Sequence, residues 1–180
     1  MNPYNFVLAA SNAFDSLLSL CCGIGFELSG VTNPNVTAVD ASPKYLAEVP
    51  MRCPQAKCVE SKALDYLKLQ PDNSVDVISI IDGIEHMDKP TGKQVIKQMK
   101  RVARKEILLF TPQGPSKDGY LKNEPHNAWG IEGADHFQTH KSGWTQEELE
   151  SYGFTLLQAA HDTSQHGEPY KALMMVYRKD

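Results

Sequence analysis

Short apolar runs alternate along this sequence with stretches of helical periodicity, and that alternation predicts a parallel β-sheet covered by helices on both faces. The runs are rich in β-branched residues, as strands of a buried sheet are. The predicted strands are Ser16 to Cys21, Val36 to Val39, Ala56 to Glu60, Val75 to Ile81, Glu106 to Phe110, Thr155 to Ala160 and Leu173 to Arg178. An α/β fold with three layers follows from this order.

Two of the helices have clear sequence signals. Apolar side chains recur from Gly92 to Arg104 at the spacing of one helix face, so this segment should pack on the sheet. Thr145 and Glu148 have the spacing of a capping box, which predicts a helix that begins there and ends before Gly153. The segment from Thr111 to Ser142 is rich in Pro, Gly, Asn, Asp and His, and it is predicted to be a long loop on the substrate side.

The composition indicates how many domains the chain forms and which kinds of partner are disfavoured. The 180 residues are 41% hydrophobic, which suits one substantial core, so residues 1–180 are expected to form a single domain. The net charge of −4 disfavours binding to a nucleic acid backbone. The apolar run from Leu17 to Phe26 is too short to span a membrane, and the first residues lack the positive segment of a secretion signal, so we expect a cytoplasmic protein.

Three segments predict a ligand site at one edge of the sheet. The first strand runs into a glycine-containing turn, residues 21–25, where the backbone can approach a bound molecule closely. Fifteen residues after Gly25, the second strand ends at Asp40, where an acidic side chain can accept both hydroxyl protons of a ribose. The fourth strand ends in the polar segment Asp82–His86. Ligands of open α/β sheets bind at the carboxyl ends of the strands, so these segments should lie together.

These segments resemble a known family in their order and spacing. They are similar to the successive cofactor-binding motifs of class I S-adenosylmethionine-dependent methyltransferases. The motifs that carry the resemblance are Leu17 to Gly25, Asp40, Glu60 to Asp65, Asp82 to His86, Phe110 to Gly114 and His140 to Thr145. The resemblance implies a Rossmann-like three-layer sandwich with a seven-stranded, mostly parallel sheet whose last strand is antiparallel. It also implies S-adenosylmethionine as the cofactor.

The resemblance further assigns ten residues to the cofactor site. They are Cys21, Cys22, Gly23, Gly25, Asp40, Ala41, Lys62, Ala63, Asp82 and Gly83. By this resemblance the turn would cradle the methionine portion, Asp40 would hold the ribose, and Lys62 and Ala63 would contact the adenine edge. Three positions depart from the family pattern: Ser19 stands where an acid is usual, Cys21 where the first glycine is expected, and Lys62 where an acid is more often found.

Methyl transfer from a sulfonium requires an acceptor held in line with the methyl group, and a base if the acceptor has a proton to lose. His86 and His140 are the candidate catalytic residues. In a second interpretation, Asp82, Glu85 and His86 with His136 or His140 would hold Mg²⁺ or Mn²⁺. That set is similar to the metal site of the small-RNA terminal 2′-O-methyltransferases, but the acidic net charge disfavours RNA, and a metal-free site is the expectation.

The acceptor itself has no sequence signature. We expect a small molecule, with the acceptor pocket completed by the long loop or by a second subunit of a homodimer, because few residues precede the first strand to cover it. The departures at Ser19, Cys21 and Lys62 leave a non-catalytic binding or scaffold protein as an alternative. A nicotinamide dehydrogenase is disfavoured because the glycines of the dinucleotide fingerprint are incomplete here.

Overall fold

The computed structural model describes residues 2–114, 129–131, 137–163 and 169–179. The α-helices are α1 (Pro3–Ala13), α2 (Pro43–Leu46), α3 (Ala63–Lys68), α4 (Lys89–Val102) and α5 (Gln146–Ser151). The strands are β1 (Leu17–Leu20), β2 (Val36–Asp40), β3 (Lys57–Glu60), β4 (Val75–Ile81), β5 (Ala103–Pro112), β6 (Thr155–Thr163) and β7 (Pro169–Arg178). Short 3₁₀ helices lie at Phe26–Leu28, Val49–Met51 and Ile84–His86.

The strands form one seven-stranded sheet in the order β3-β2-β1-β4-β5-β7-β6. All neighbours pair in parallel except β7, which is antiparallel to both β5 and β6. The predicted mostly parallel sheet with an antiparallel last strand is therefore confirmed. The strand order reverses between β1 and β4, and open α/β sheets bind their ligands beside such a reversal.

Helix α4 covers one face of the sheet through the apolar positions that the sequence predicts. Val95, Ile96, Met99 and Val102 are fully buried in a cluster with residues of β1, β4 and β5. The helix begins earlier than predicted, at Lys89, because the carboxylate of Asp88 accepts a hydrogen bond from the Thr91 amide at 2.9 Å. It ends at Val102, and Ala103 already begins β5.

Helix α1 covers the other face and was not predicted. Val7 and Ala10 are buried in the cluster that packs on this face. The side-chain amide of Asn33 donates to the carbonyls of Ser11 and Phe14 at 2.9 and 2.8 Å, which fixes the end of the helix. The residues before β1 thus cover this face of the sheet.

Thr145 is the N-cap of α5, as predicted, but the carboxylate of Glu148 pairs with Lys89 Nζ at 2.5 Å, so only half of the predicted capping box forms. Thr145 Oγ1 accepts a hydrogen bond from the amide of Glu148 at 3.2 Å, and α5 ends before Gly153, whose φ is +87°. Of the predicted loop, residues 111 and 112 belong to β5, and residues 115–128 and 132–136 lie outside the described residues. Among the described residues, no helix has the length and apolar character needed to cross a membrane.

Candidate cofactor and methyl-transfer site

A cavity of about 620 Å³ opens at the carboxyl ends of β1, β2 and β4. This volume is within the range of small-molecule and cofactor sites. Nine predicted site residues line the cavity, namely Cys21, Gly23, Asp40, Ala41, Lys62, Ala63, Asp82, Gly83 and His86. The structure therefore brings together the glycine turn, the end of β2 and the end of β4, as predicted.

The glycine turn and Asp40 are joined directly at one side of the cavity. Asp40 Oδ2 accepts a hydrogen bond from the amide of Gly23, and Oδ1 accepts one from the amide of Ser42, both at 2.9 Å. Burial raises the pKa of Asp40, while the amides of Ser42, Gly23 and Ala41 oppose that rise. A carboxylate fixed by amides at the end of β2 is well placed to accept hydroxyl protons from a ligand in the cavity.

Cys21 tolerates its unusual place in the turn because Gly83 makes room for it. Its φ of +53° is in the left-handed region, which a residue with a Cβ rarely adopts. A Cβ added at Gly83 would lie 2.8 Å from the Cβ of Cys21. The glycine after β4 therefore leaves the space that the side chain of Cys21 needs after β1. Burial and the nearby carboxylates of Asp40, Glu85 and Glu27 raise the pKa of Cys21, so its thiol is neutral.

Cys22 and Gly25 shape the turn without lining the cavity. Cys22 is buried on the α1 face of the sheet, and its amide donates to the carbonyl of Val39 at 3.2 Å. Gly25, with φ of +81°, donates from its amide to the carbonyl of Cys22 at 2.9 Å and closes the turn. Their part is to hold the backbone conformation that exposes Gly23 to the cavity.

Two aromatic residues that are not among the predicted site residues form another wall of the cavity. Tyr45 on α2 and Trp129 contact each other edge to face, with ring centroids 4.9 Å apart. Trp129 lies so close to Gly23 that an added Cβ there would be 2.5 Å from its Cη2 atom. These contacts join the turn to a residue more than a hundred positions later, and no local pattern could have shown them.

The two candidate catalytic histidines are in contact. The rings of His86 and His140 lie edge to face with centroids 4.8 Å apart. His86 lines the cavity, whereas His140 is not part of its lining. His86 Nδ1 is 3.4 Å from the carbonyl oxygen of Thr139. A carbonyl can only accept, so this contact favours the tautomer that has its proton on Nδ1 and its lone pair on Nε2.

Glu85 is a buried carboxylate beside these histidines. Its Oε2 accepts a hydrogen bond from Thr111 Oγ1 at 3.0 Å, but its Oε1 is buried and has no hydrogen-bond partner among the described residues. Burial, and then the charge of Asp82, hold the pKa of Glu85 well above its usual range. Potential ligand atoms of Glu85, His86 and His140 all lie within 4.8 Å of one another. Asp82 is not part of this cluster, and His136 lies outside the described residues.

Comparison with protein families gives the same class of protein as the fold and the site. Residues 17–106 match the family model described as methyltransferase domain, and the chain belongs to this family. It is an S-adenosylmethionine-dependent methyltransferase with the Rossmann-like fold. A search of curated protein sequences finds no significant match.

Solved structures of methyltransferases share the fold over nearly the whole chain. A methyltransferase from Archaeoglobus fulgidus has a TM-score of 0.65 at 16% identity, covering 97% of this chain and 90% of its own. The 1,6-didemethyltoxoflavin N1-methyltransferase of Burkholderia thailandensis has a TM-score of 0.69 at 16% identity, covering 99% and 78%. Magnesium protoporphyrin IX methyltransferase of Synechocystis has a TM-score of 0.59 at 16% identity, covering 97% and 77%.

Proposed function

We propose that this protein methylates a small-molecule acceptor, with His86 as the general base. The observation that carries the proposal is one cavity that has the Gly23–Asp40 pair on its β1–β2 side and His86 on its β4 side. A cofactor held at the first side would present its reacting end toward the second. Two of the similar solved structures are enzymes that are named for small acceptors, 1,6-didemethyltoxoflavin and magnesium protoporphyrin IX, and they support the same class of acceptor.

The residues of the chain divide the work of the reaction. S-adenosylmethionine supplies a methyl group on a positively charged sulfur, which a nucleophile attacks in line. The turn around Gly23 and the carboxylate of Asp40 would bind and orient this cofactor, and Lys62 and Ala63, which line the same cavity, would contact its adenine. His86 Nε2 accepts the proton of the acceptor, and the contact with His140 holds the imidazole ring in place.

The experiment follows release of S-adenosylhomocysteine from S-adenosylmethionine with a panel of phenols, catechols and heteroaromatic N–H compounds. Loss of a positioned base costs about 10²- to 10⁴-fold in turnover, so His86→Asn should lower kcat by that order. Its affinity for S-adenosylhomocysteine should stay within about twofold of the wild type, because an acceptor-side base does not hold the cofactor. Unchanged turnover of His86→Asn on an accepted compound would contradict the assignment of the base.

Glu85 favours a second candidate function, metal-assisted methylation of a hydroxyl such as a ribose 2′-OH. A buried carboxylate oxygen without a partner costs free energy, and a bound cation would satisfy it. One carboxylate and two imidazoles form a donor set that Mn²⁺ accepts, and Glu85, His86 and His140 would hold the ion. The ion would polarise the acceptor oxygen and lower the pKa of its proton.

Metal removal separates the two candidates. If His86 acts as a base, chelation leaves the turnover of a small acceptor unchanged, and Mn²⁺ gives no heat in calorimetry. If His86 is a ligand, Mn²⁺ binds the wild type, Glu85→Gln weakens that binding at least tenfold, and RNA with a free 3′-terminal ribose becomes the substrate to assay. Asp65→Asn is the matched control, since Asp65 also lines the cavity but lies outside the cluster.

A further inference from the structure

A buried carboxylate, Glu27, is hydrogen-bonded to both strands next to the glycine turn. Glu27 lies in the 3₁₀ helix that follows Gly25, and it is only 4% exposed. Its Oε1 accepts hydrogen bonds from the hydroxyl of Ser19 on β1 and from the hydroxyl of Ser79 on β4, the latter at 3.0 Å. Glu27 does not line the cavity, so it cannot act by touching a ligand there.

The two serines are paired across the centre of the sheet. Ser19 and Ser79 occupy the same register position on the neighbouring parallel strands β1 and β4, and both are fully buried. Between these strands the order of the sheet reverses, at the edge where the cavity opens. One carboxylate oxygen thus ties the chain after the turn to both strands that meet at this reversal.

The hydrogen bond between Ser19 and Glu27 spans the whole turn. Ser19 lies two residues before Cys21, and Glu27 lies two residues after Gly25. Within the span, Cys21 has a φ of +53°, a conformation that a side chain normally prevents. Such a residue keeps this conformation only when the surrounding structure enforces it. One buried oxygen of Glu27 accepts both serine hydroxyls, so Glu27 holds the two ends of the turn together and provides that enforcement.

We propose that Glu27 is a positioning residue of the cofactor site, which holds the glycine turn in its binding conformation by accepting the hydroxyls of Ser19 and Ser79. In the methyltransferases that this chain resembles, an acid is usual on the first strand, at the position of Ser19. In this chain Glu27 supplies an acid from the 3₁₀ helix instead. The proposal rests on the proposed function in one respect, namely that the turn around Gly23 holds the cofactor.

Two substitutions of Glu27 separate positioning from general stability. Glu27→Gln keeps an oxygen that can accept both hydroxyls, whereas Glu27→Leu keeps the bulk of the side chain and removes both bonds. Calorimetry with S-adenosylhomocysteine should give a dissociation constant for Glu27→Gln within about threefold of the wild type. For Glu27→Leu we expect a constant at least tenfold higher. Asp15→Asn, an exposed acid before β1 at the opposite end of the sheet, is the control and should not change binding.

A third variant covers the case in which Glu27→Leu does not fold. Ser79→Ala removes one of the two donors and leaves Glu27 in place, so its loss of affinity should fall between those of the two Glu27 variants. Thermal unfolding of each variant is measured beside binding. The proposal is overturned if Glu27→Leu lowers the Tm but binds within twofold of the wild type, or if Glu27→Gln loses as much affinity as Glu27→Leu. Absence of binding by the wild-type protein would instead contradict the proposed function itself.

Discussion

The amide of Gly23 and the carboxylate of Asp40 are hydrogen-bonded at 2.9 Å, although 17 positions of sequence separate the two residues. The bond joins the end of β1 to the end of β2 and sets the shape of one side of the cavity. Asp40 is therefore both a residue of the cavity lining and a support of the turn. A change at Asp40 should therefore affect the cofactor in two ways.

Asp40→Ala is expected to weaken binding of S-adenosylhomocysteine at least tenfold, which corresponds to about 1.4 kcal/mol. The variant loses an acceptor for the ribose hydroxyls and releases the amides of Gly23 and Ser42. Calorimetry provides the measurement. Glu60→Ala is the matched control, because Glu60 pairs with Asp40 in register at the end of β3 but does not line the cavity. Equal affinities of the two variants would count against the site.

Gly23 and Gly30 offer a second matched pair, since both have left-handed backbone, with φ of +53° and +81°. Alanine at either position carries backbone strain of about 1–2 kcal/mol. At Gly23 the added Cβ also meets Trp129, whereas at Gly30 it would have no atom of the described residues within 4 Å. Gly23→Ala should lose cofactor affinity at least tenfold, and Gly30→Ala should bind normally despite lower stability. Normal binding by Gly23→Ala would show that the turn does not approach the cofactor.

Gly92 lies in the first turns of α4 because the ring of Trp144 occupies the space of its missing side chain. A Cβ there would be 2.5 Å from Trp144 Cζ2. Alanine in place of a helical glycine ordinarily stabilises by about 0.5–1 kcal/mol. Here overpacking should reverse the sign and destabilise by about 1–3 kcal/mol.

Urea unfolding of Gly92→Ala, Trp144→Phe and the double variant measures this contact. Phenylalanine lacks the atoms that the new Cβ would meet, so Gly92→Ala should cost less in the Trp144→Phe background. Additive costs would mean that the helix, and not the indole ring, sets the requirement for glycine.

Local chemistry explains which parts of the fold could be predicted from the sequence. The apolar runs of β1 and β4 and the glycine turn have signals within a few residues, and they lie where the sequence places them. Helix α1 could not be predicted because its buried residues are only Val7, Ala10 and Ser11. These are too few apolar positions to give a clear helical periodicity. The start of α4 had a signal in Asp88, the cap that its apolar pattern alone did not reveal.

The contacts that shape the candidate site could not be predicted, because they join residues that are far apart in the sequence. The room that Gly83 leaves for Cys21 explains how this chain tolerates one departure from the family pattern. The bonds from Ser19 and Ser79 to Glu27 explain another. Each contact depends on how strands align in the sheet, and side-chain spacing along the sequence does not contain that information.

The pH dependence of stability provides a test of Glu27 that does not involve the cofactor. Burial raises the pKa of Glu27 from its ordinary value of 4.5 to about 7, against the lowering effect of the Ser19 and Ser79 hydroxyls. The folded protein therefore keeps a proton that the unfolded chain releases between about pH 4.5 and 7. Its contribution to stability is complete below about pH 4.5 and is lost as the pH rises through about 7, a change on the order of 3 kcal/mol.

Glu27→Gln has no proton to lose at this position, so its stability should lack this component. Asp40 and Glu85, whose pKa values are also raised by burial, titrate in both proteins and cancel in the comparison. The free energy of unfolding is measured in urea at pH 5, 6, 7 and 8. That of the wild type should fall relative to that of Glu27→Gln as the pH rises to about 7, and the difference between the two proteins should stay constant at higher pH. Parallel curves over the whole range would mean that Glu27 is ionised in the folded protein even at pH 5, as a carboxylate with strong additional donors would be.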